Sequence, residues 1–182
     1  EKGSKALAAT VDVLKNFNPL YTSMTYGAGG ATQEKTKHAV HMLTKHKGLI
    51  VMPHMTCVGA GSESIKNLLD DYKQEGIENI MALRGDAPEV VEDFDFSKQE
   101  FCFAIDLVKF LKEYGHFCVG VAVYPEGHIE TPSLDADLEY AKQKIDTGAD
   151  FAVTQMFFDN KYYYDFLQRA KGKGINIPIL PG

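Results

Sequence analysis

The stretch AIDLVKFLKEYGHFCVGVAVYPEGH, residues 104–128, decides the fold. Ala104, Leu107, Val108 and Leu111 recur at the spacing that gathers them on one face of an α-helix. Gly115 then stands where a left-handed helix terminus calls for glycine. Residues 117–124 follow as an apolar, valine-rich run, which ends in the polar series Tyr124-Pro125-Glu126-Gly127-His128. Helix, glycine, strand, polar loop is the repeating unit of a parallel αβ structure.

The same unit recurs on both sides. Residues 21–25, 49–54, 79–83, 151–155 and 177–180 read as further strands. Leu7, Val11 and Leu14 form a helical stripe, as do Ile65, Leu68, Leu69 and Tyr72, and again Leu134, Leu138, Ala141 and Ile145. Gly48, Gly76, Gly148 and Gly174 occupy the place that Gly115 holds. Ser97 with Glu100 has the spacing of a capping box opening the fourth helix, and Asp159 or Asn160 suits the start of the last one. Strands alternating with helices predict a parallel sheet with right-handed crossovers. An open doubly wound sheet and a closed barrel both satisfy that rule. Six strands fit a barrel lacking one strand before Glu1 and one after Gly182. The expectation is therefore α/β: a TIM (β/α)8 barrel, incomplete here, as a single domain over residues 1–182.

Composition excludes several functions. Of 182 residues, 45% are hydrophobic and 24% charged, which is the balance of a folded domain. Nineteen Lys and Arg against 25 Asp and Glu give a net charge of −6, with no basic footprint for nucleic acid. No apolar run approaches the ~20 residues a membrane helix needs, and residues 1–10 do not read as a signal peptide. Cys57, Cys102 and Cys118 are odd in number and lack a C-x-x-C pair. That argues against a disulfide framework or a Cys-rich zinc site, and for a reducing, cytoplasmic compartment.

The polar residues are unevenly placed. The strand candidates lead at their C-terminal ends into Thr25 and the run Gly27-Ala28-Gly29-Gly30, into His54, into Arg84-Gly85-Asp86, into Tyr124 and His128, and into Gln155. In a barrel these ends share one rim, where barrel enzymes do their chemistry. Each residue also has a plainer reading. The glycine run is either a phosphate cradle or a loop. His54 is either a site residue or a hydrogen-bonded core histidine. Arg84 and Asp86 form either a local ion pair or a ligand-facing set, and Gly85 would let a ligand approach the backbone. His38, His41 and His46 suit solvent better than metal, and Tyr162, Tyr163 and Tyr164 suit packing. No lysine ends a strand and no G-x-S-x-G occurs, which argues against Schiff-base and serine-nucleophile chemistry. His54, Asp86, Glu126 and His128 leave a metal-dependent hydrolase open, and an inert ligand-binding barrel stays open too.

Five rim motifs in order carry a resemblance: Thr25-Tyr26-Gly27-Ala28-Gly29-Gly30, Pro53-His54-Met55-Thr56-Cys57-Val58-Gly59, Ala82-Leu83-Arg84-Gly85-Asp86, Tyr124-Pro125-Glu126-Gly127-His128 and Thr154-Gln155-Met156-Phe157-Phe158-Asp159. The chain resembles the methylenetetrahydrofolate reductases from about Phe17 to Gly182. The resemblance implies a barrel holding FAD at its C-terminal rim. Such a barrel reduces 5,10-methylenetetrahydrofolate to 5-methyltetrahydrofolate, with NAD(P)H as co-substrate and hydride passing in a ping-pong cycle. It implies that Thr25, His54, Arg84, Gly85, Asp86, Phe103, Ala104, Tyr124 and His128 line the flavin, and that Asp137 and Lys144 hold its ribose and diphosphate. Asp86 and Gln155 would be catalytic, and with Thr25 would meet the substrates. Phe103 stands where some relatives have tyrosine, and Gln143 where an arginine can assist the diphosphate. The family's general-acid glutamate lies on a first strand outside these residues. A cytoplasmic homo-oligomer acting on small molecules, with no metal, nucleic acid or membrane, completes the expectation.

Overall fold

The computed structural model describes residues 2–25, 30–46, 48–59, 61–87 and 94–182. The glycine run at 27–30 thus lies outside the described residues, apart from Gly30 at the head of a helix. The elements are α1 (Lys2–Leu14), β1 (Thr22–Met24), α2 (Gly30–His41), β2 (Val51–Thr56), α3 (Ser62–Glu75), β3 (Asn79–Leu83), α4 (Ala104–Tyr114), β4 (Cys118–Val123), α5 (Leu134–Asp146), β5 (Phe151–Thr154), α6 (Asn160–Gly172) and β6 (Ile179–Leu180). No helix among the described residues is long and apolar enough to cross a membrane.

All six strands are parallel and lie in sequence order, β1 to β6. A doubly wound sheet would reverse its order somewhere, and this one does not. Right-handed crossovers in unbroken sequence put every helix on one face, so the sheet curls into a half-barrel of the TIM type.

Strand alternation separates the two faces. Val51 and Met55 of β2, Ile80 and Ala82 of β3, and Val119, Val121 and Val123 of β4 join the core with the helical stripes. Ile65, Leu68, Leu69 and Tyr72 of α3 are all buried there, as are Leu107, Val108 and Leu111 of α4. Burying each of these large apolar side chains contributes about 1.5–3 kcal/mol. The alternate residues line the concave face, where His54 lies beside Met81, Met81 beside Gly120, and Gly120 beside Phe151. A Cβ at Gly120 would stand 2.5 Å from the Phe151 ring and 3.1 Å from the Met81 sulfur. The missing side chain is what lets Phe151 fill the middle of the dish.

Several expectations need correction. Ser97 and Glu100 do not open the fourth helix. Asp95 accepts from the Ser97 N–H at 2.9 Å and closes a single 3-10 turn, Phe96–Lys98. Glu100 accepts from the Ser62 N–H at 2.9 Å and so caps α3 instead. α4 begins at Ala104, where the Asp106 carboxylate accepts the N–H groups of Cys102 (3.0 Å) and Phe103 (2.9 Å). The chain between must stay extended to bury Phe101, which is 5% exposed. β2 runs Val51–Thr56, two residues later at each end than expected; Ile50 is 59% exposed, and its carbonyl accepts the Thr22 N–H at 2.8 Å. Leu14 and Leu134 end their stripes beyond the covering sheet, 49% and 43% exposed. Asp159, and not Asn160, caps α6 by accepting from the Lys161 N–H at 2.9 Å.

Candidate active site

The parallel strands all deliver their C-terminal ends to one rim. Thr25 follows β1, His54 lies within β2, Arg84-Gly85-Asp86 leave β3, Tyr124 follows β4 and Gln155 follows β5. Thr25, Asp86 and Gln155 are exposed, whereas His54, Arg84, Tyr124 and His128 are half-buried. Phe103 and Ala104 stand at the start of α4, with Phe103 exposed. Asp137 and Lys144 come from α5, whose first turn is capped by Ser133 accepting from the Ala136 N–H at 3.1 Å.

The turn after β3 is seated on β2. Gly85 has φ +84°, and a Cβ there would lie 2.9 Å from Thr56 Cβ. The Cys57 N–H donates to the carbonyls of Leu83 (3.2 Å) and Arg84 (3.1 Å). Its thiol donates to Leu83 O at 3.4 Å and Phe103 O at 3.3 Å. Burial, reinforced by Asp106, pushes that thiol up to about 12, so Cys57 is a clip between strands and not a nucleophile.

Arg84 pairs with Glu130 and, among the described residues, not with Asp86. Its Nη1 and Nη2 meet Glu130 Oε2 and Oε1 at 2.7 and 3.0 Å. Its guanidinium also lies 4.5 Å from the centre of the Phe96 ring. The Glu130 hydrogen bonds raise the Arg84 pKa, and Arg84 in turn holds the Glu130 carboxyl below its usual range. Tyr124 packs edge-to-face on His128 with ring centres 4.7 Å apart. The Glu130 N–H donates to His128 Nδ1 at 3.1 Å.

Behind this pair lie two buried charges. Asp137 is 5% exposed, and burial raises its carboxyl pKa against the opposing pull of Lys144 and the His128 backbone N–H. Lys144 Nζ donates to Ala122 O at 2.6 Å. Burial draws Lys144 down to about 8, with Asp137 partly opposing. Burial, then the charge of Asp137, raises the Tyr124 phenol, and burial lowers His54. On the next strand, Gln155 Oε1 accepts from the Met156 N–H at 3.0 Å.

The structure thus gathers Arg84, Asp86, Tyr124, His128, Asp137 and Lys144 around the ends of β3 and β4. His54 stands on β2, and Thr25 and Gln155 just past the ends of β1 and β5. Sequence reasoning missed Glu130 and Phe96 and gave Cys57 no partner; all three meet residues distant in sequence and leave no local spacing. His38 and His41 are exposed, and His41 Nδ1 lies 3.2 Å from Glu75. His41 borders an outer cleft between α2 and α3 that is remote from the rim. No three His, Cys, Asp or Glu side chains among the described residues converge as a metal site, so the hydrolase alternative has no donor set there. Chemically, the rim offers a buried cation and a buried carboxylate, which suit a phosphate and a sugar hydroxyl.

Residues 1–182 match the family model described as methylenetetrahydrofolate reductase. The chain is 39% identical over 178 residues to the 5,10-methylenetetrahydrofolate reductase of Pectobacterium carotovorum subsp. carotovorum, covering 98% of this chain and 58% of that protein. It is 39% identical over 173 residues to the enzyme of that name from Escherichia coli (strain K12), covering 95% and 56%. To methylenetetrahydrofolate reductase (NADH) 1 of Arabidopsis thaliana it is 36% identical over 193 residues, covering 100% and 33%. The chain therefore spans 58% of the length of the first of these relatives and less of the others. A crystal structure of 2,3-dimethylmalate lyase, a PEP mutase/isocitrate lyase superfamily member, superposes with a TM-score of 0.62 at 10% identity, over 93% of this chain and 68% of that one. That likeness is one of fold alone. On its family match and these relatives, the chain belongs to the methylenetetrahydrofolate reductase family.

Proposed function

We propose that the chain is the FAD-holding part of a catalytic barrel that reduces 5,10-methylenetetrahydrofolate to 5-methyltetrahydrofolate with NAD(P)H. The observation that carries this reading is the buried Asp137 and Lys144 pair at the rim. Ala122 O is the hydrogen-bond partner of the Lys144 ammonium among the described residues, which leaves N–H groups to spend on a ligand. A buried ammonium with unspent donors fits a diphosphate, and a buried carboxylate beside it fits a ribose hydroxyl. On the same reading Thr25, His54, Arg84, Gly85, Asp86, Phe103, Ala104, Tyr124 and His128 line the ring system and its ribityl chain. Bound there, FAD supplies a two-electron carrier that accepts hydride from NAD(P)H and yields it to the folate in a ping-pong cycle.

The chain's own groups have separate tasks. The Asp86 carboxylate faces solvent at the rim, where it stabilises positive charge developing on the folate as its five-membered ring opens. Gln155, its oxygen held by the Met156 N–H, has an amide N–H2 free to orient each substrate in turn. His54, kept neutral by burial, serves as a hydrogen-bonding wall without adding charge. A single catalytic domain in a cytoplasmic homo-oligomer is part of the same reading.

Purification of the full-length protein tests it. The expected result is a yellow protein that releases FAD on denaturation, bleaches with NAD(P)H and recovers its colour with methylenetetrahydrofolate. A protein that takes up no FAD would refute it.

A further inference from the structure

Glu130 was not expected at the site, yet two of the site's side chains depend on it. Its carboxylate meets Arg84 with two hydrogen bonds, at 2.7 and 3.0 Å, so the guanidinium plane is fixed at one edge. Phe96 covers a face of the same guanidinium at 4.5 Å. Arg84 is therefore held from two loops besides its own. The Glu130 backbone N–H donates to His128 Nδ1 at 3.1 Å. In a neutral imidazole that bond assigns the remaining proton to Nε2, which makes His128 a donor there. The loop itself is tightly turned: the Thr131 N–H and hydroxyl both donate to His128 O, at 3.0 and 2.7 Å. Ile129 is 97% exposed and gives no anchorage. The Glu130 side chain is itself 58% exposed, so the pair adds little to global stability. Its effect is geometric.

We infer that Glu130 is a positioning residue of the rim: its carboxylate sets the orientation of Arg84, and its backbone N–H sets the tautomer of His128. The consequence for cofactor binding rests on the flavin reading above. Charge and position then pull in opposite directions. Removing the carboxylate leaves Arg84 uncompensated, which by charge alone would strengthen binding of an anionic dinucleotide. Losing the fixed orientation weakens it.

The test measures FAD affinity of the full-length protein, stripped of flavin and titrated by fluorescence, for wild type, Glu130→Gln, Arg84→Met and the double variant. The expected result is a weakening of about 10-fold for Glu130→Gln, the scale of one charge-assisted hydrogen bond. In the Arg84→Met background the same change should have almost no effect, because Glu130 acts through Arg84. Unchanged or tighter binding by Glu130→Gln, or an equal effect in both backgrounds, would overturn the inference. Nitrogen chemical shifts of His128 give a second readout that needs no cofactor. Wild type and Glu130→Gln should both show a protonated Nε2, whereas Glu130→Pro, which lacks the N–H, should show mixed tautomers. A wild-type His128 protonated at Nδ1 would overturn the backbone half. A wild-type protein that binds no FAD would instead strike the functional reading, and the tautomer would still report on Glu130.

Discussion

Replacing Gly85 by alanine tests how the turn after β3 is held. Two costs add. At φ +84° an L-residue sits in the left-handed region, which costs about 1–2 kcal/mol. The new Cβ would also lie 2.9 Å from Thr56 Cβ, 3.2 Å from its Cγ2 and 3.4 Å from Val58 Cγ2. Thr56 Cβ is fixed to the β2 backbone, so one strand end must shift, at about 1–3 kcal/mol. The expected destabilisation is about 2–5 kcal/mol. Equilibrium urea unfolding of the full-length protein measures it. Gly172→Ala is the control. Gly172 ends α6 with nothing within 4 Å of a built Cβ, and alanine there should stabilise by about 0.4–1 kcal/mol. Thr56→Ser should relieve Gly85→Ala only in part, since it removes Cγ2 and leaves Cβ. A Gly85→Ala protein within about 0.5 kcal/mol of wild type would refute the reasoning, because only a surface site tolerates so much.

Other expectations concern the charges and the far end of the sheet. Asp86→Asn should slow reoxidation by methylenetetrahydrofolate more than reduction by NAD(P)H, and stopped-flow traces in which both slow equally would remove its assigned role. Lys144→Met should weaken FAD binding about 10- to 150-fold, the range of a lost charge-assisted bond, as read by titration. The same variant has a pH signature. With its pKa lowered to about 8 from 10.5, Lys144 in the folded protein holds fewer protons than in the unfolded chain between those values. Stability should therefore rise with pH across that window, by on the order of 3 kcal/mol, and below it the cost of burying the ammonium applies in full. Urea unfolding of Lys144→Met should lack that rise. Tyr114→Phe removes a 2.6 Å hydrogen bond to Asp70 at the opposite end of the strands. It should cost about 1 kcal/mol and leave FAD affinity unchanged.

The legible parts of the sequence were those written in short spacings. The four-residue stripe Ile65, Leu68, Leu69, Tyr72 is buried in full because helical periodicity needs only its own turn. The rim residues Arg84, Tyr124 and Gln155 were legible because a strand's direction fixes which end they occupy. What escaped was long-range. Glu100 looked like the partner of Ser97, three residues off, and instead caps a helix whose first residue is Ser62. Glu130 meets Arg84 across 46 residues, and the Cys57 thiol meets Phe103 O across the same distance. Such contacts exist only once β2, β3 and β4 lie side by side. Asp137 was assigned through family likeness alone, and it is buried with Leu138 and Ala141 on the face of α5 that joins the core.

Phe151, lodged where Gly120 has no side chain, makes the hollow shallow. Beside Gly120 lie the Phe151 ring and the Met81 sulfur. A flat guest resting there would turn its underside to hydrocarbon and keep a single upper surface open to water. Two reactants that both need that surface cannot stack upon it together and must queue for it. On the flavin reading proposed above, that shared surface would set the order of events.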